Sequence, residues 1–461
     1  MSEQTGTEKV EVQDNITTTT TVTDSITTTT STTTTTIEET KTKETEIEHT
    51  GINPELTLIN NPIIMNKLAG YQFFEKILKS PKKIVAPMVD HTYLAFRMLC
   101  RKYGSDMVYT PMMHSKNFAT QKVYRKDNFS TCPEDRPLVV QFCGNEPEWV
   151  VKAAKYVEND CDAIDLNLGC PQQIARRGNY GSFLLDKPHI ILPIVRALHQ
   201  NIKVPIFCKI RLLPNLDDTI KLAKDLQDAG CQLLTVHGRT KEQKGQFAGV
   251  ANWDAIARIK KELTIPVIAN GSVLEYEDID RCLNQTGADG VMSADGILAN
   301  PAMFSGLNVD TIQVARDYLE LCHKYPTQLG IARSHLFKML KSKLDLQADL
   351  RDQLHQCATY PELSEIVEQL DHRIKTNAPQ VKVLSNKEKR ELKAKQEQEQ
   401  KDQNTTTTTD NTNNNNKRDN NNEDETDQSD KKKVKTNNDK NNNEYVILTK
   451  DGASEPVPMQ N

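Results

Sequence analysis

Six side chains suited to binding or chemistry follow short apolar runs at the same place in a repeating pattern: Met88, Gln141, Asn167, Lys209, His237 and Asn270. Cys170 stands just beyond one of them, in AIDLNLGCPQ, where the chain leaves an apolar run through a Gly-Cys-Pro turn. Amides, an ammonium and an imidazole can bind a planar ring edge, hold an anion or move a proton. A cysteine in such a turn is a packing residue, a metal ligand, a disulfide partner or a proton-transfer group. The chain has 10 cysteines, no CxxC pair and no His-rich cluster, so neither a disulfide framework nor a metal site is expected.

The elements that position these residues are eight apolar runs: KIVAPM, DMVYTPM, PLVVQFCG, AIDLNLGC, VPIFCKIR, QLLTVHGR, IPVIANGS and GVMSADG. Amphipathic stretches such as EWVVKAAKYVEND and TIKLAKDLQDAG alternate with them. Buried runs separated by helices indicate a parallel sheet covered by helices. Eight such units fit an α/β fold of the TIM (β/α)₈ barrel type better than an open doubly wound sheet, which stays as the alternative. In a barrel the six residues converge on the C-terminal mouth, where active sites are built. The last two units end in ANGS (269–272) and MSADG (292–296), small-residue turns whose backbone N–H groups suit a phosphate. Neither turn is a GxGxxG or GxxxxGK[ST], which favours a mononucleotide over a dinucleotide or P-loop site. Gln141 is placed to bond the edge of a planar ring, and Lys209 to set positive charge beside a reduced, anionic one. Those roles suit a flavin.

Composition limits the folded part. Residues 1–66 are Thr-rich and 376–461 are charged and Asn-rich, and both are expected to be disordered tails. Residues 67–305 are expected to form the barrel and 306–375 a small all-helical C-terminal domain, where DTIQVARDYLELCHKY, IARSHLFKMLKSKLDL and ELSEIVEQLDHRIK show helical spacing. The 58 basic and 63 acidic residues give a formal charge of −5, so any polyanion surface must be local. No signal peptide and no run long enough to span a membrane is apparent, so a cytoplasmic, monomeric protein is expected. The segment DKKKVK (430–435) is a candidate nuclear signal or RNA tether, and KEKRELKAKQEQEQK a candidate solvated helix.

Taken together, APMVDHTYLAFRMLCRKYGSDMVYTPMMHS, QFCGNEPE, DLNLGCPQ, CKIR, VHGRTKEQKG, IANGS and VMSADG resemble the FMN-dependent tRNA-dihydrouridine synthases. The likeness is greatest to the branch acting on uridines 16 and 17 of the D-loop. The resemblance implies that Cys170 is the catalytic cysteine and that FMN is held by Pro87, Met88, Val89, Gln141, Lys209, His237, Asn270, Gly271, Ser272, Ala294 and Asp295. It also implies that Asn167 and Arg211 lie near the uracil ring. The last turn reads Ala-Asp-Gly where many relatives have Gly-Arg-Gly or Ala-Glu-Gly, and Ser272 stands where Asn or Asp is more usual. The implied reductant is NADPH or NADH, which in the absence of a dinucleotide-binding motif docks transiently at the same mouth.

The implied reaction saturates the C5=C6 bond of uracil. Hydride goes to C6, the end conjugated to the C4 carbonyl, and the enolate then takes a proton at C5. A thiol near its ordinary pKa of about 8.5 is protonated at neutral pH and can supply that proton. The implied substrate is tRNA, whose target uridine must be unstacked. Lys116, Arg125, Arg176, Arg177, Arg239, Lys241 and Lys244 are the candidate RNA contacts. A flavin barrel reducing free pyrimidines or enones, and a barrel that binds tRNA without catalysis, are the rival readings.

Overall fold

The computed structural model describes residues 67–68, 70–383, 390, 394, 445–448 and 454–456. The Thr-rich stretch 1–66, KEKRELKAKQEQEQK apart from residues 390 and 394, and DKKKVK lie outside the described residues.

The apolar runs become strands because each is rich in Val, Ile and Leu and is buried on both faces. They are β1 (Lys83–Val85), β2 (Met107–Tyr109), β4 (Leu138–Cys143), β5 (Ala163–Leu168), β6 (Ile206–Leu212), β7 (Cys231–Thr240), β8 (Val267–Asn270) and β9 (Gly290–Ser293). A ninth short strand, β3 (Met113–His114), pairs only with the end of β4. Every pairing among these strands is parallel. The β2–β4 and β1–β9 pairings close the sheet, giving the expected eight-stranded barrel in place of an open sheet.

Alternation along each strand divides the core into two. Val108, Leu138, Val140, Ile164, Leu166, Ile210 and Val236 face outward and pack under the helices. Ile84, Met107, Val139, Ala163, Phe207, Leu233, Ile268 and Met292 fill the barrel itself. The helix Gly70–Lys76 adds Phe73 and Phe74 to that inner cluster, with Phe73 edge-on to Phe207 at 6.3 Å between ring centres. The half of the barrel near the strand starts is therefore solid apolar packing. Polar side chains enter the interior above this layer, among them Gln141, Asp165, Asn167, Lys209, Thr235 and Asn270.

After the barrel come helices Thr311–Lys324, Leu329–Met339, Lys341–Leu344, Ala348–Gln356 and Tyr360–Lys375. Ala348–Gln356 is not among the three helical stretches read from spacing. This helical segment is tied to the barrel near the mouth. His335 is buried, stacks on Phe96 at 4.2 Å between ring centres, and bonds through Nε2 to the His91 carbonyl in the loop after β1 (3.0 Å). Within the stretch read as a disordered tail, the backbones of Gln380–Val383, Tyr445–Leu448 and Ser454–Pro456 pair as an antiparallel three-stranded sheet.

Candidate active site

At the C-terminal ends of β6–β9 lies a cleft of about 120 Å³. Pro87, Lys209, His237, Arg239, Asn270, Gly271, Ser272, Ala294 and Asp295 line it. Eight of the eleven residues expected to hold a flavin thus share one cavity. Met88 and Val89 continue the chain from Pro87, with Val89 48% exposed, and Gln141 is fully buried and is not part of the lining. A larger open cleft of about 550 Å³ sits among Lys79, Asp106, Arg136, Pro137 and Asp162, residues that precede strands. That is the face of the barrel that carries stability, and no candidate residue reaches it.

The phosphate-type turn is built by backbone. Gly271 has φ +105°, and a Cβ there would meet the Ala251 Cβ and the His237 ring at 2.9 Å. Ser272 is also left-handed (φ +56°), and its hydroxyl accepts from the Ala251 N–H (2.9 Å) and Arg239 Nη2 (3.1 Å). The Ser272 side chain thereby braces the turn against the loop that follows β7.

Lys209 and Arg239 line the cleft together with Asp295, and Arg211 lies beside them. Lys209 Nζ donates to Asn270 Oδ1 (2.8 Å). Arg211 donates only to carbonyls, at Gly169 (2.9 Å), Thr240 (2.8 Å) and Gln243 (3.0 Å). Arg239 donates to the Gly249 carbonyl (2.8 Å) and Ser272. Among the described residues none of these three cations has a carboxylate in ion-pair contact. Burial, then Arg211, lowers the Lys209 pKa to about 8, and burial, then Arg239, lowers Arg211 to about 10. Burial and all three cations hold His237 far below its ordinary value, so its ring is neutral and Nε2 can accept from Arg239 Nη1 (3.0 Å). Cations without an ion-pair contact, beside backbone turns, suit an anion such as a phosphate or a reduced flavin ring, and FMN fits this donor set.

The Cys170 turn is fastened from every side. Asn167 Oδ1 accepts from the N–H groups of Gly169 (3.1 Å) and Cys170 (2.9 Å). The Cys170 carbonyl accepts from Ser182 N (3.1 Å) and Oγ (3.0 Å), Arg211 holds the Gly169 carbonyl, and Lys244 Nζ holds that of Pro171 (2.9 Å). Gly181, at φ +66°, allows the close approach, since a Cβ there would lie 2.7 Å from the Cys170 carbonyl oxygen. Burial raises the Cys170 pKa above its ordinary value, opposed by the Gln172 backbone, Arg211, Lys209 and Lys244. The group is a half-buried, protonated thiol, and all ten cysteines are free.

The other candidates fall in varied settings. Arg176 and Arg177 are exposed on the short helix after the cysteine turn. Arg239 lies within the anion cleft, and Arg211 serves the cysteine turn through its carbonyl bonds. Lys241 pairs with Asp186 at 4.0 Å, Lys116 lies over Trp149, and Arg125 stacks on Tyr156 at 4.1 Å. Sequence reading missed Asp165, Gly181 and Ser182. Asp165 had a signal: it is a charged residue at an inward position of an otherwise apolar strand.

Residues 84–433 match the dihydrouridine synthase family. The chain belongs to that family. Two of its most similar relatives are named tRNA-dihydrouridine(16/17) synthases. A "-like" protein of Mus musculus is 46% identical over 297 residues, 64% of this chain and 62% of the mouse protein. The Saccharomyces cerevisiae enzyme is 46% identical over 317 residues, 65% of this chain and 74% of its own. A Mus musculus "-like" protein named for positions 20a/20b is 37% identical over 262 residues, 56% of this chain and 80% of the mouse protein. The chain thus spans less than two thirds of the first mouse protein. Among the described residues of this dihydrouridine synthase family member, no helix is long and apolar enough to cross a membrane.

Proposed function

We propose that this protein reduces the C5=C6 bond of uridines 16 and 17 in tRNA, using FMN and a nicotinamide dinucleotide as reductant. The observation that carries the proposal is a pinned, protonated cysteine beside a cleft lined by Lys209 and Arg239, with Arg211 next to them, in a chain 46% identical to enzymes so named. The cleft residues would hold FMN, with the Gly271–Ser272 turn suited to its phosphate, and bound, reduced FMN would supply the hydride equivalent for C6 of the uracil ring. Lys209 and Arg211 stabilise the negative charge that develops on the pyrimidine. Cys170 Sγ–H then gives its proton to C5. Lys209, Arg211 and Lys244 all favour the thiolate left behind, which lowers the cost of that transfer. Neutral His237 adds no further positive charge and anchors Arg239 beside the phosphate turn. Arg176 and Arg177 offer phosphate contacts on the mouth.

Cys170→Ala tests the role. It keeps flavin absorbance and tRNA affinity and loses dihydrouridine formation by about 10²- to 10⁴-fold, the range for removing a general acid. Turnover of unmodified tRNA at the wild-type rate by this variant would refute the assignment. Retained turnover on free uracil but none on tRNA by the wild-type protein would favour a free-pyrimidine reductase.

A further inference from the structure

Asp165 lies on β5 with its side chain inside the barrel, fully buried, and faces Gln141 on β4 in register. It starts a chain of hydrogen bonds that ends at the cysteine turn. Gln141 Nε2 donates to Asp165 Oδ2 (2.8 Å), Asn167 Nδ2 donates to Gln141 Oε1 (2.9 Å), and the N–H groups of Gly169 and Cys170 donate to Asn167 Oδ1. The direction of this chain is determined from both ends. Backbone N–H groups can only donate, so Asn167 must meet them with its oxygen and turn its NH₂ toward Gln141. Gln141 must then accept there, which leaves its own NH₂ facing Asp165, where only an acceptor will serve.

We propose that Asp165 is a positioning residue for Cys170: as the acceptor that ends this chain, it sets the orientation of both amides and thereby the height and angle of the cysteine turn. The inference rests on the proposed role of Cys170 as proton donor.

The alternative, that Asp165 is only part of the core, fits poorly with its surroundings. Its Oδ1 and the buried Tyr109 hydroxyl both lack a hydrogen-bond partner among the described residues. A buried carboxyl with an unsatisfied oxygen is costly, and an apolar residue of similar size removes that cost. Burial pushes its pKa up to about 7, against Gln141 and Lys209. Ionised or neutral, the carboxyl keeps one accepting oxygen for Gln141, so the chain survives either charge state.

The full-length flavin-bound protein is compared as wild type, Asp165→Asn and Asp165→Leu. Readouts are kcat and KM on unmodified tRNA, and the rate of iodoacetamide labelling at Cys170 across pH, located by mass spectrometry. Asn keeps an oxygen that can accept from Gln141, so it restores kcat to within about threefold of wild type. Leu preserves the packing but removes the acceptor. Its kcat falls about 100-fold, the effect of a displacement of about 1 Å, with KM little changed. Cys170 in that variant labels several-fold faster at neutral pH, because a loosened turn exposes the thiol. A Leu variant with wild-type kcat and labelling overturns the proposal. So does a folded Asn variant whose kcat falls about 100-fold, which keeps the test decisive if Leu fails to fold. Labelling needs no tRNA, so a wild type inactive on tRNA would remove the functional reading while the labelling series still judged the positioning role.

Discussion

Lys209→Met separates what the cleft needs for chemistry from what the fold tolerates. Lys209 is buried, and its pKa lies at about 8 against an ordinary 10.5. At 1.36 kcal/mol per pH unit, that difference means the buried ammonium costs the flavin-free fold about 3 kcal/mol at neutral pH. Methionine has similar length and carries no charge, so it removes this cost. It also leaves Asn270 Oδ1 without its 2.8 Å donor, a loss of about 1–3 kcal/mol. The flavin-free variant is therefore about as stable as wild type at pH 7, or more stable by up to 2 kcal/mol.

The pH dependence is sharper than the absolute difference. The native pKa is the lower one, so between about pH 8 and 10.5 the unfolded chain holds more protons than the native one, and wild-type stability rises with pH in that window. Integrated from pH 7 to 9.5, this linkage stabilises wild type relative to the variant by about 2 kcal/mol. Urea titrations of both flavin-free proteins at several pH values in that range measure it directly. A stability difference that stays flat from pH 7 to 9.5 refutes the depressed pKa and, with it, the claim that burial of the ammonium costs the fold stability. An anion held in the cleft, as proposed for FMN, adds negative charge beside Lys209, so the slope should shrink when the flavin is bound, and the variant should bind FMN more weakly.

Two further outcomes are expected. Gly181→Ala forces a side chain at φ +66° to within 2.7 Å of the Cys170 carbonyl oxygen. It lowers unfolding free energy by about 1–2 kcal/mol and reduces turnover, and unchanged stability and rate would show that the turn does not need this glycine. Arg176→Glu with Arg177→Glu leaves flavin absorbance intact and weakens tRNA binding, and the slope of log affinity against log salt falls by about 1.5. An unchanged slope would remove these residues from the RNA surface.

The strands were legible because their residues are apolar on both faces, and the mouth was legible because polar residues recur where the runs stop. The same continuity hid Asp165. Read as one run, AIDLNL leaves the charge of Asp165 unplaced, and only alternation along the strand shows that Ala163, Asp165 and Asn167 reach the barrel interior. Arg211 shows a different limit. Its partners are the carbonyls of Gly169, Thr240 and Gln243, and a backbone acceptor leaves no trace in residue type. Gln141 is the mirror case: its strand-end position was clear, yet both ends of its amide are engaged by Asp165 and Asn167. The helix Gly70–Lys76, whose Phe73 and Phe74 close the barrel floor, acts through contacts made far along the chain with Phe207.

The positions of Asp165 and Lys209 suggest why an ionisable group is tolerated under the site at all. Asp165 is a carboxylate whose charge acts on Lys209, and Lys209 in turn lowers the pKa of Asp165. Their values, about 7 and about 8, leave both groups near their titration points at neutral pH. An anion arriving at the cleft favours protons on both: it holds Lys209 as the ammonium and pushes Asp165 toward the neutral acid. A ligand whose charge changes during turnover would thus be met by a proton shift beneath it. The hydrogen-bond chain to Cys170 is insensitive to that shift, since either form of Asp165 presents an oxygen to Gln141. The oxygen that accepts from Gln141, and with it the chain to Cys170, therefore persists whether Asp165 is charged or neutral.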